Sequence, residues 1–471
     1  MTGKSYVSIG AQYGDEGKGK ITDILVSEGN IPADIIARFN GANNAGHNVQ
    51  TAKGNFILHA IPGFFQHRKK LGYIGSGCVV LPEKTRPEIS EIERNGYSLE
   101  GRLFISAKCT LVQPADVFLD KATGKEVGTT GNGIGPAYAR QALRQLGNKL
   151  RNIRIGDYLE NRREMQEIVR QNLEEICQQY KIPADTEAAV EIFDRETKAL
   201  GKYVCYDPLF LVSRVEEGKN VLFEGANAVM LDAVTGDVPF VTSSRTIAAG
   251  AYSGGDLPPK YHAKTIAVAK ALMSRVGNGP FIAELGGERS ERYCNEEGGY
   301  KYTKEKEAQL YDVAKLLKSD DPFQLGIALR MLSDEYGATT GRPRRIGMLD
   351  LVMLRQNCKQ NGVDELYLTK VDVMELYSRT RLPGIPVVVA YKYESDGEIT
   401  EFPPSTVAQS RKVTPVVEYL PHFFWELSYA RKAKDLPGEV HEFVSFVEDF
   451  VGVPIYGIGV GPKREEFVRL K

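Results

Sequence analysis

A glycine-rich loop close to the amino terminus limits the folds open to this chain. An apolar run at Tyr6–Ile9 leads into the loop Gly10–Lys20, and apolar positions that suit a helix follow at 21–26. A strand, a glycine-rich loop and a helix in this order direct backbone N–H groups and a helix N-terminus at a phosphate. Glycine permits the positive φ values that such a loop needs. Asp15 and Glu16 are expected to place carboxylates within reach of a phosphate-bound metal.

The loop resembles a P-loop without matching its pattern. The pattern G-x-x-x-x-G-K-[ST] requires glycine where Gln12 stands and Ser or Thr where Gly19 stands. Glycine-rich turns after a first strand can also bind nothing. The prediction of a phosphate site therefore depends on support from the rest of the chain.

The composition is that of an ordinary globular protein. The 471 residues are 42% hydrophobic and 26% charged, and the net charge is -1. This charge gives no electrostatic basis for binding nucleic acid or an anionic membrane. We find neither a signal peptide nor an apolar run of about 18 residues, the length that spans a membrane. None of the six cysteines lies in a C-x-x-C pair, so a zinc site has no support and a cytoplasmic protein is expected.

Polar and glycine-rich segments follow several predicted strands. The predicted strand Ala33–Phe39 runs into Asn40–Asn48, Val221–Phe223 runs into Glu224–Asn227, and another strand ends in the Thr-Lys-x-Asp sequence of 369–372. Functional loops of open α/β sheets lie at such strand ends. These segments are therefore candidate binding loops.

Three segments each allow a structural and a functional interpretation. His47 is either a surface histidine or a working group, and its surroundings have no packing reason to be so free of apolar side chains. The segment 128–138 is either a linker or a mobile loop suited to closing over an anion. Ser333–Arg345 combines hydroxyl groups with three arginines, which suits either a small dicarboxylate or a solvated basic patch.

The Thr-Lys-x-Asp sequence favours GTP over ATP. The carboxylate of Asp372 can accept hydrogen bonds from the N1–H and the exocyclic amine of guanine, whereas adenine offers no such donor pair. The stem of Lys370 can cover the face of the base, and the glycine-rich strand end Ile455–Pro462 can pack on it. Four residues alone are a weak pattern, but a phosphate loop elsewhere in the chain strengthens it.

Taken together, these segments closely resemble the adenylosuccinate synthetase family. They occur in the family's order and span nearly the whole chain: Gly14–Lys20, Asn43–His47, Gly128–Thr130 with Gly133–Tyr138, Phe223–Ala226, Val241–Ser244, Gly337–Arg342 and Thr369–Asp372. The resemblance implies a ligase that uses GTP to join L-aspartate to IMP, giving adenylosuccinate, GDP and phosphate. It further implies that O6 is phosphorylated first, so that phosphate becomes the group that the aspartate amine displaces.

The resemblance also implies a role for each matching residue. Asp15 would be the general base for the purine N1 proton and a Mg²⁺ ligand, His47 the acid at O6, and the Gly46 carbonyl a second metal ligand. The residues implied for GTP are Gly14, Glu16, Gly17, Lys18, Gly19, Lys20, Gly46, Asn48, Arg344, Lys370, Asp372, Gly459, Gly461 and Pro462. Those implied for the nucleotide substrate are Asn44, Thr130, Arg144, Asn227, Thr242 and Arg342. Those implied for aspartate are Val276, Thr339, Thr340 and Arg342. In this family an arginine matching Arg144 reaches the partner subunit's site, so a homodimer is expected.

Some positions depart from the family's pattern and leave alternatives open. Asn227 stands where glutamine is usual, Asn132 replaces a basic residue, Gln141 replaces a lysine, and Asn48 replaces threonine. A relative that uses dGMP or GMP, forming 2-aminoadenylosuccinate, is therefore an alternative, although Asp15 is retained. A GTP-binding switch would have no use for the loop at 339–342. An inactive nucleotide-binding scaffold would not need both Asp15 and His47.

The order of predicted elements indicates an α/β protein. We expect one principal domain, residues 1–471, with a large, mainly parallel central sheet, helices on both sides and a P-loop-like loop. The clearest predicted helix lies at 161–180, where apolar residues recur at three- and four-residue steps. We further expect a charged insertion at 286–330, for which the sequence gives no role.

Overall fold

The computed structural model describes residues 2–43, 46–51, 53–124, 129–145, 151–295, 302–337 and 341–471, without the side chains of 47, 48, 50 and 55. The strands are β1 Ser5–Gly10, β2 Ile35–Arg38, β3 His47–Thr51, β4 Gly54–Leu58, β5 Leu71–Ile74, β6 Val79–Val80, β7 Leu103–Ser106, β8 Thr110–Leu111, β9 Val204–Cys205, β10 Val221–Glu224, β11 His262–Lys270, β12 Met273–Arg275, β13 Arg345–Gly347, β14 Leu349–Asp350, β15 Glu365–Thr369, β16 Ile385–Tyr393, β17 Ile399–Thr400, β18 Val413–Leu420, β19 Ile455–Gly459 and β20 Phe467–Arg469. The α-helices are α1 Lys18–Ser27, α2 Pro82–Arg94, α3 Pro114–Thr123, α4 Ile134–Leu143, α5 Ile155–Glu160, α6 Arg162–Tyr180, α7 Thr186–Leu200, α8 Phe210–Glu216, α9 Gly250–Gly254, α10 Gly287–Asn295, α11 Lys304–Leu310, α12 Val313–Leu317, α13 Pro322–Ser333, α14 Leu351–Gln360, α15 Val407–Ser410 and α16 Gly438–Val451.

The largest sheet in the described part of the chain has ten strands. Their order is β20-β19-β15-β11-β1-β10-β2-β5-β7-β9. Neighbouring strands are parallel except for the edge pair β19 and β20. The predicted α/β class with a mainly parallel sheet is confirmed, and β1 with its glycine-rich loop lies in the middle of the sheet.

Apolar residues cover both faces of this sheet, because successive side chains of a strand point to opposite sides. On one face Val221 and Phe223 of β10 pack in the cluster that contains the apolar residues of α8, α13, α14 and α16. On the other face Leu222 joins the cluster formed with α1, α2, α6 and α7. Burial on both faces explains why these strands read as continuous apolar runs.

The predicted local elements agree with the structure. The helix expected at 161–180 is α6, and the apolar strands expected within 33–39, 221–223 and 366–368 are parts of β2, β10 and β15. The segment expected to be an insertion, 286–330, forms most of α10 to α13. The division into one domain with an insertion stays a prediction. No described helix is long and apolar enough to cross a membrane.

Candidate functional site

The predicted binding loops lie at the carboxyl ends of the parallel strands of the central sheet. Parallel strands β1, β2, β10, β11 and β15 present their carboxyl ends to the same side. The glycine-rich loop, the segment after Arg38, Glu224–Asn227 and the Thr-Lys-x-Asp sequence all begin there. The parallel topology thus brings together segments that are far apart in sequence, as expected for ligand loops of open α/β sheets.

The glycine-rich loop is closed by a carboxylate inside it. The Glu16 side chain is buried and accepts hydrogen bonds from the backbone N–H groups of Gly14 (2.7 Å) and Gln12 (3.3 Å). Lys18 Nζ lies 2.9 Å from Glu16 Oε2. A Cβ on Gly10 would come within 2.2 Å of Glu16 Oε2, so a larger residue there would displace the Glu16 carboxylate from its bonds. The prediction that Glu16 reaches a metal is wrong, because its carboxylate points into the loop.

Asp15 faces outward from the same loop. It has a positive φ of 57°, and its side chain is 39% exposed. Asp15 Oδ2 lies 2.8 Å from Arg344 Nη2. Asp15, which is predicted to bind the metal, therefore contacts Arg344, which is predicted to bind GTP. The carboxylate of Asp15 remains accessible to a ligand.

Lys20 connects helix α1 to the loop after β19. Its ammonium donates to the carbonyl oxygens of Gly461 (2.6 Å) and Glu466 (2.9 Å). Burial lowers the pKa of Lys20 to about 8, although Asp372 and Glu466 act in the opposite direction. The sequence predicted that this lysine binds phosphate, whereas the structure places its ammonium on two carbonyl groups at the glycine-rich strand end.

The Thr-Lys-x-Asp sequence is joined to the glycine-rich loop. Thr369 Oγ1 donates to the carbonyl of Glu16 at 2.7 Å. Burial raises the pKa of Asp372, with Lys370 and Lys20 opposing this effect. Asp372 Oδ1 is buried and has no hydrogen-bond partner among the described residues. A buried acceptor without a donor is costly, and a ligand with paired N–H groups would satisfy it.

Glu335 is the centre of a buried charged cluster that sequence reasoning left without a role. Its carboxylate is 1% exposed and lies 2.9 Å from Arg344 Nη1, 3.1 Å from Lys370 Nζ and 3.4 Å from Lys270 Nζ. Ser274 Oγ donates to it at 2.7 Å. Burial acts to raise the pKa of Glu335, but Lys270, Lys370 and Arg344 hold that pKa far below its usual range.

This cluster links three predicted motifs. Arg344 contacts both Glu335 and Asp15, and Lys370 contacts Glu335 and also donates to the carbonyl of Ser333 at 2.6 Å. Arg344 and Lys370, both predicted to contact GTP, therefore also hold the base of the 333–345 segment. A signal existed in the sequence: Lys270 is a charged residue directly after the apolar run Ile266–Ala269, and Glu335 is an acid close to three arginines.

Three residues predicted for the nucleotide substrate, Asn227, Thr130 and Thr242, lie in segments that connect to the carboxyl ends of β2 and β10. Asn227 follows β10 with a φ of 61°, and its Oδ1 is buried without a partner among the described residues. Asn132, one of the departures from the family's pattern, donates through Nδ2 to the Asn43 carbonyl (3.0 Å) and to Thr130 Oγ1 (3.2 Å). Thr130 is exposed, and the Thr242 N–H donates to the Leu231 carbonyl at 2.9 Å.

In the segment predicted for aspartate, the described residues 334–337 and 341–344 pair with each other, and they are called the hairpin 334–344 here. The Gly337 N–H donates to the Arg342 carbonyl, and the Gly341 N–H donates to the Gly337 carbonyl, both at 2.8 Å. Thr339 and Thr340 lie outside the described residues. Val276 is 46% exposed after β12.

Several other predicted residues are only partly described. Asn44 lies outside the described residues, as do the side chains of His47 and Asn48. His47 is the first residue of β3, where it pairs with Leu58 of β4, and Gly46 before it is exposed. Arg144 is exposed at the end of α4, with a φ of 64°.

The carboxylate of Asp15 suits magnesium that is bound partly by phosphate. In the described part of the chain no three His, Cys, Asp or Glu side chains are grouped as a metal site. Mg²⁺ is often held by one or two carboxylates together with substrate phosphates. The exposed carboxylate of Asp15 beside the glycine-rich loop fits such a site, whereas Glu16 is already enclosed.

Comparison with known proteins gives a consistent result. The family model described as adenylosuccinate synthetase matches residues 7–468. Adenylosuccinate synthetase 2 of Cupriavidus pinatubonensis is 40% identical over 465 residues, which cover 99% of this chain and 97% of the relative. Adenylosuccinate synthetase of Aquifex aeolicus is 35% identical over 475 residues, covering 99% and 97%.

Two solved structures share the fold. A fully ligated adenylosuccinate synthetase from Plasmodium falciparum has a TM-score of 0.83 at 30% identity, covering 100% of both chains. Succinoaminodeoxyadenylate synthetase of cyanophage S-2L, bound to dGMP and dATP, has a TM-score of 0.59 at 16% identity, covering 100% of this chain and 96% of that one. At this identity the second likeness concerns the fold alone.

Proposed function

The chain belongs to the adenylosuccinate synthetase family, and on that premise we propose which of its residues perform the family's reaction. The protein is a GTP-dependent ligase that joins L-aspartate to IMP in purine biosynthesis. The observation that best supports the residue assignment is that motifs far apart in the sequence contact one another at the carboxyl ends of the central strands. Thr369 bonds the glycine-rich loop, and Arg344 bonds Asp15.

We propose that the reaction begins with removal of the N1 proton of IMP by Asp15. The carboxylate lies on the outer side of the loop, where a substrate can reach it. Loss of that proton moves electron density onto O6, which then attacks the γ-phosphorus of GTP while the bond to GDP breaks. His47 is proposed to hydrogen-bond O6 and the transferring group, as the matching position implies.

The second step replaces the phosphorylated oxygen. The amine of L-aspartate attacks C6, the C6–O6 bond breaks, O6 leaves as part of inorganic phosphate, and the new C–N group releases one amine proton to solvent. Phosphate is a far better leaving group than a lactam oxygen, which explains why the reaction consumes GTP. Because phosphoryl transfer needs little covalent help, most of the protein's contribution is to position and stabilise charge.

Asp372 is proposed to select guanine. Its buried and unpartnered Oδ1 offers an acceptor that guanine's N1–H and exocyclic amine can satisfy. Thr369, three residues before Asp372, donates a hydrogen bond to the Glu16 carbonyl of the glycine-rich loop. Lys20 of the same loop donates to the carbonyl of Gly461. Base and phosphates would therefore be bound by one connected unit.

Asp15 and the Gly46 carbonyl are the residues proposed to hold Mg²⁺ together with the phosphates. When bound, this ion neutralises charge that develops on the transferred group. Arg344 now occupies one oxygen of Asp15, so the carboxylate must change or share its partner on binding. Lys18 is paired with Glu16 and contributes its charge from within the loop.

The remaining assignments concern the acceptor, aspartate and the dimer. We propose that Asn44, Thr130, Asn227 and Thr242 contact IMP, and that Arg342 serves both IMP and aspartate beside Thr339, Thr340 and Val276. The exposed position of Arg144 at the end of α4 supports its proposed reach into a partner subunit's site. The cytoplasm remains the predicted location.

Product analysis tests this proposal. The enzyme is mixed with Mg²⁺, GTP, L-aspartate and either IMP or dGMP, and the products are identified by mass. We expect adenylosuccinate, GDP and phosphate from IMP. A product from dGMP instead would assign the alternative acceptor, and no aspartate-linked purine from either would refute the ligase.

A further inference from the structure

We propose that Glu307 and Arg330 are positioning residues for L-aspartate, acting through the hairpin 334–344. This inference rests on the proposed role of that hairpin in binding aspartate. Both residues belong to the helical segment α11–α13, which has no role assigned by the sequence analysis. Neither residue is placed against a substrate, so their effect is exerted on the hairpin.

The two side chains form a buried, doubly bonded ion pair. Arg330 Nε donates to Glu307 Oε2 at 3.0 Å, and Arg330 Nη2 donates to Glu307 Oε1 at 2.5 Å. Their side chains are 2% and 0% exposed. A paired fork of this kind fixes the relative orientation of both groups, and α11 and α13 are thereby held in one arrangement.

The same pair holds both strands of the hairpin. On the first strand the Tyr336 hydroxyl donates to Glu307 Oε2 at 2.5 Å. On the second strand the carbonyl of Arg344 accepts from Arg330 Nη1 at 3.1 Å. Tyr336 also forms a bridge with Pro343 across the hairpin. The ion pair thus contacts both strands of the hairpin and adds to the backbone bonds that already join them.

The contacts of the Glu307–Arg330 pair predict that the KM for L-aspartate depends on this pair more than the KM for GTP does. Arg344 has a second, independent anchor in Glu335, so Asp15 and the GTP side keep their own support when the Glu307–Arg330 pair is broken. In the described part of the hairpin, the Gly337 N–H donates to the Arg342 carbonyl and the Gly341 N–H donates to the Gly337 carbonyl, so the position of Arg342 depends on how these paired segments are held. We call the contacts of the Glu307–Arg330 pair with Tyr336 and with the Arg344 carbonyl the brace. Loss of the brace loosens the paired segments that position Arg342, so it weakens aspartate binding more than GTP binding.

Two variants of different severity test the proposal in the full-length enzyme. Tyr336→Phe removes one hydroxyl and leaves the ion pair intact, whereas Glu307→Gln removes the charge that Arg330 requires. The control is Asp320→Asn, in the same helical segment, because Asp320 pairs with Arg381 at the exposed surface. Steady-state constants for all three substrates are measured, and backbone hydrogen exchange is followed over 335–337 and 341–344.

We expect Glu307→Gln to raise the KM for L-aspartate about tenfold, with a smaller rise for Tyr336→Phe and the KM for GTP within about twofold. Exchange in the hairpin should accelerate in both variants and stay unchanged in the control. Unchanged exchange and unchanged KM for aspartate in both variants would overturn the proposal, as would an equal rise in every KM. If wild-type enzyme made no aspartate-linked purine, the proposed function would fail while the exchange result still tested the brace.

Discussion

The guanine corner and the aspartate hairpin are held together in different ways. The guanine corner, defined as Lys20, Thr369, Asp372, Gly461 and Glu466, is joined mainly by side chains that donate to backbone carbonyls at strand ends. The hairpin 334–344 is held at its base by buried charges, those of Glu335 and of the Glu307–Arg330 pair.

This difference follows from where each region lies. The carbonyls of Gly461 and Glu466 lie in the short connection between β19 and β20, and that of Glu16 lies in the loop after β1. The sheet holds both segments at their ends, so the guanine corner can keep an acceptor such as Asp372 Oδ1 in place. The hairpin leaves the sheet edge and must be held by side chains from other helices. Binding loops often have this lower local stability, and the comparison predicts that the two regions respond differently to substitution.

The largest effect is expected at Asp15 of the glycine-rich loop. Arg344 of the hairpin contacts Asp15 itself, and Thr369 of the guanine corner contacts the neighbouring residue Glu16. Asp15→Asn keeps the shape of the side chain but removes the proposed base, so kcat should fall about a thousandfold, within the range of general-base catalysis. His47→Ala should likewise remove nearly all turnover. Equilibrium binding of GTP should stay largely intact in both. Turnover within tenfold of wild type would rule out the role assigned to that residue.

A smaller effect, confined to one region, is expected at Asp372. Asp372→Ala removes the buried acceptor, and kcat/KM for GTP should fall about a hundredfold because guanine's donors lose their partner. ATP provides a matched control in the same assay, since adenine lacks the donor pair, and its kcat/KM should not fall. The KM for L-aspartate should stay unchanged. Equal losses for GTP and ATP would show that Asp372 does not select the base.

A third prediction concerns how the free energy of unfolding depends on pH through Glu88, which lies next to the β3–β4 hairpin that contains His47. Glu88 of α2 accepts backbone hydrogen bonds from His59 (3.0 Å) and Ile61 (2.9 Å), next to the β3–β4 hairpin. Burial raises the pKa of Glu88 to about 7, although these bonds oppose the shift. Because the usual pKa is near 4.5, the folded protein binds more protons than the unfolded chain between these values.

The free energy of unfolding should therefore fall as the pH rises from 5.5 to 7.5, by about 1–2 kcal/mol from this group. Glu88→Gln cannot ionise, so its stability should lack that part of the pH dependence. Denaturant unfolding of both proteins at the two pH values measures the difference. Parallel pH dependences would contradict the raised pKa of Glu88.

The sequence predicted the elements of the guanine corner well. An apolar run closely followed by glycine marks β1 and β10, an apolar run that ends in Thr-Lys-x-Asp marks β15, and the parallel order of an α/β sheet then places their ends together. Local pattern was sufficient here because each motif follows a strand directly. The resemblance to a known family added roles that spacing alone could not assign.

The contacts that hold these motifs were not predictable from local pattern. Lys20 bonds Gly461 across 441 positions, and Thr369 bonds Glu16 across 353. Whether Glu16 turns into the loop or out of it depends on the Gly14 and Gln12 N–H groups, which compete with any metal for its carboxylate. Residue type alone therefore suggested two outward acids where the fold provides only Asp15.

The central claim is that the purine oxygen leaves on the phosphate that GTP supplies. IMP labelled with ¹⁸O at position 6 is converted in the presence of GTP and L-aspartate, and the inorganic phosphate is analysed by mass spectrometry. The proposed mechanism predicts that each phosphate formed carries one ¹⁸O atom and that adenylosuccinate carries none from that position. Unlabelled phosphate formed along with adenylosuccinate would contradict phosphorylation of O6.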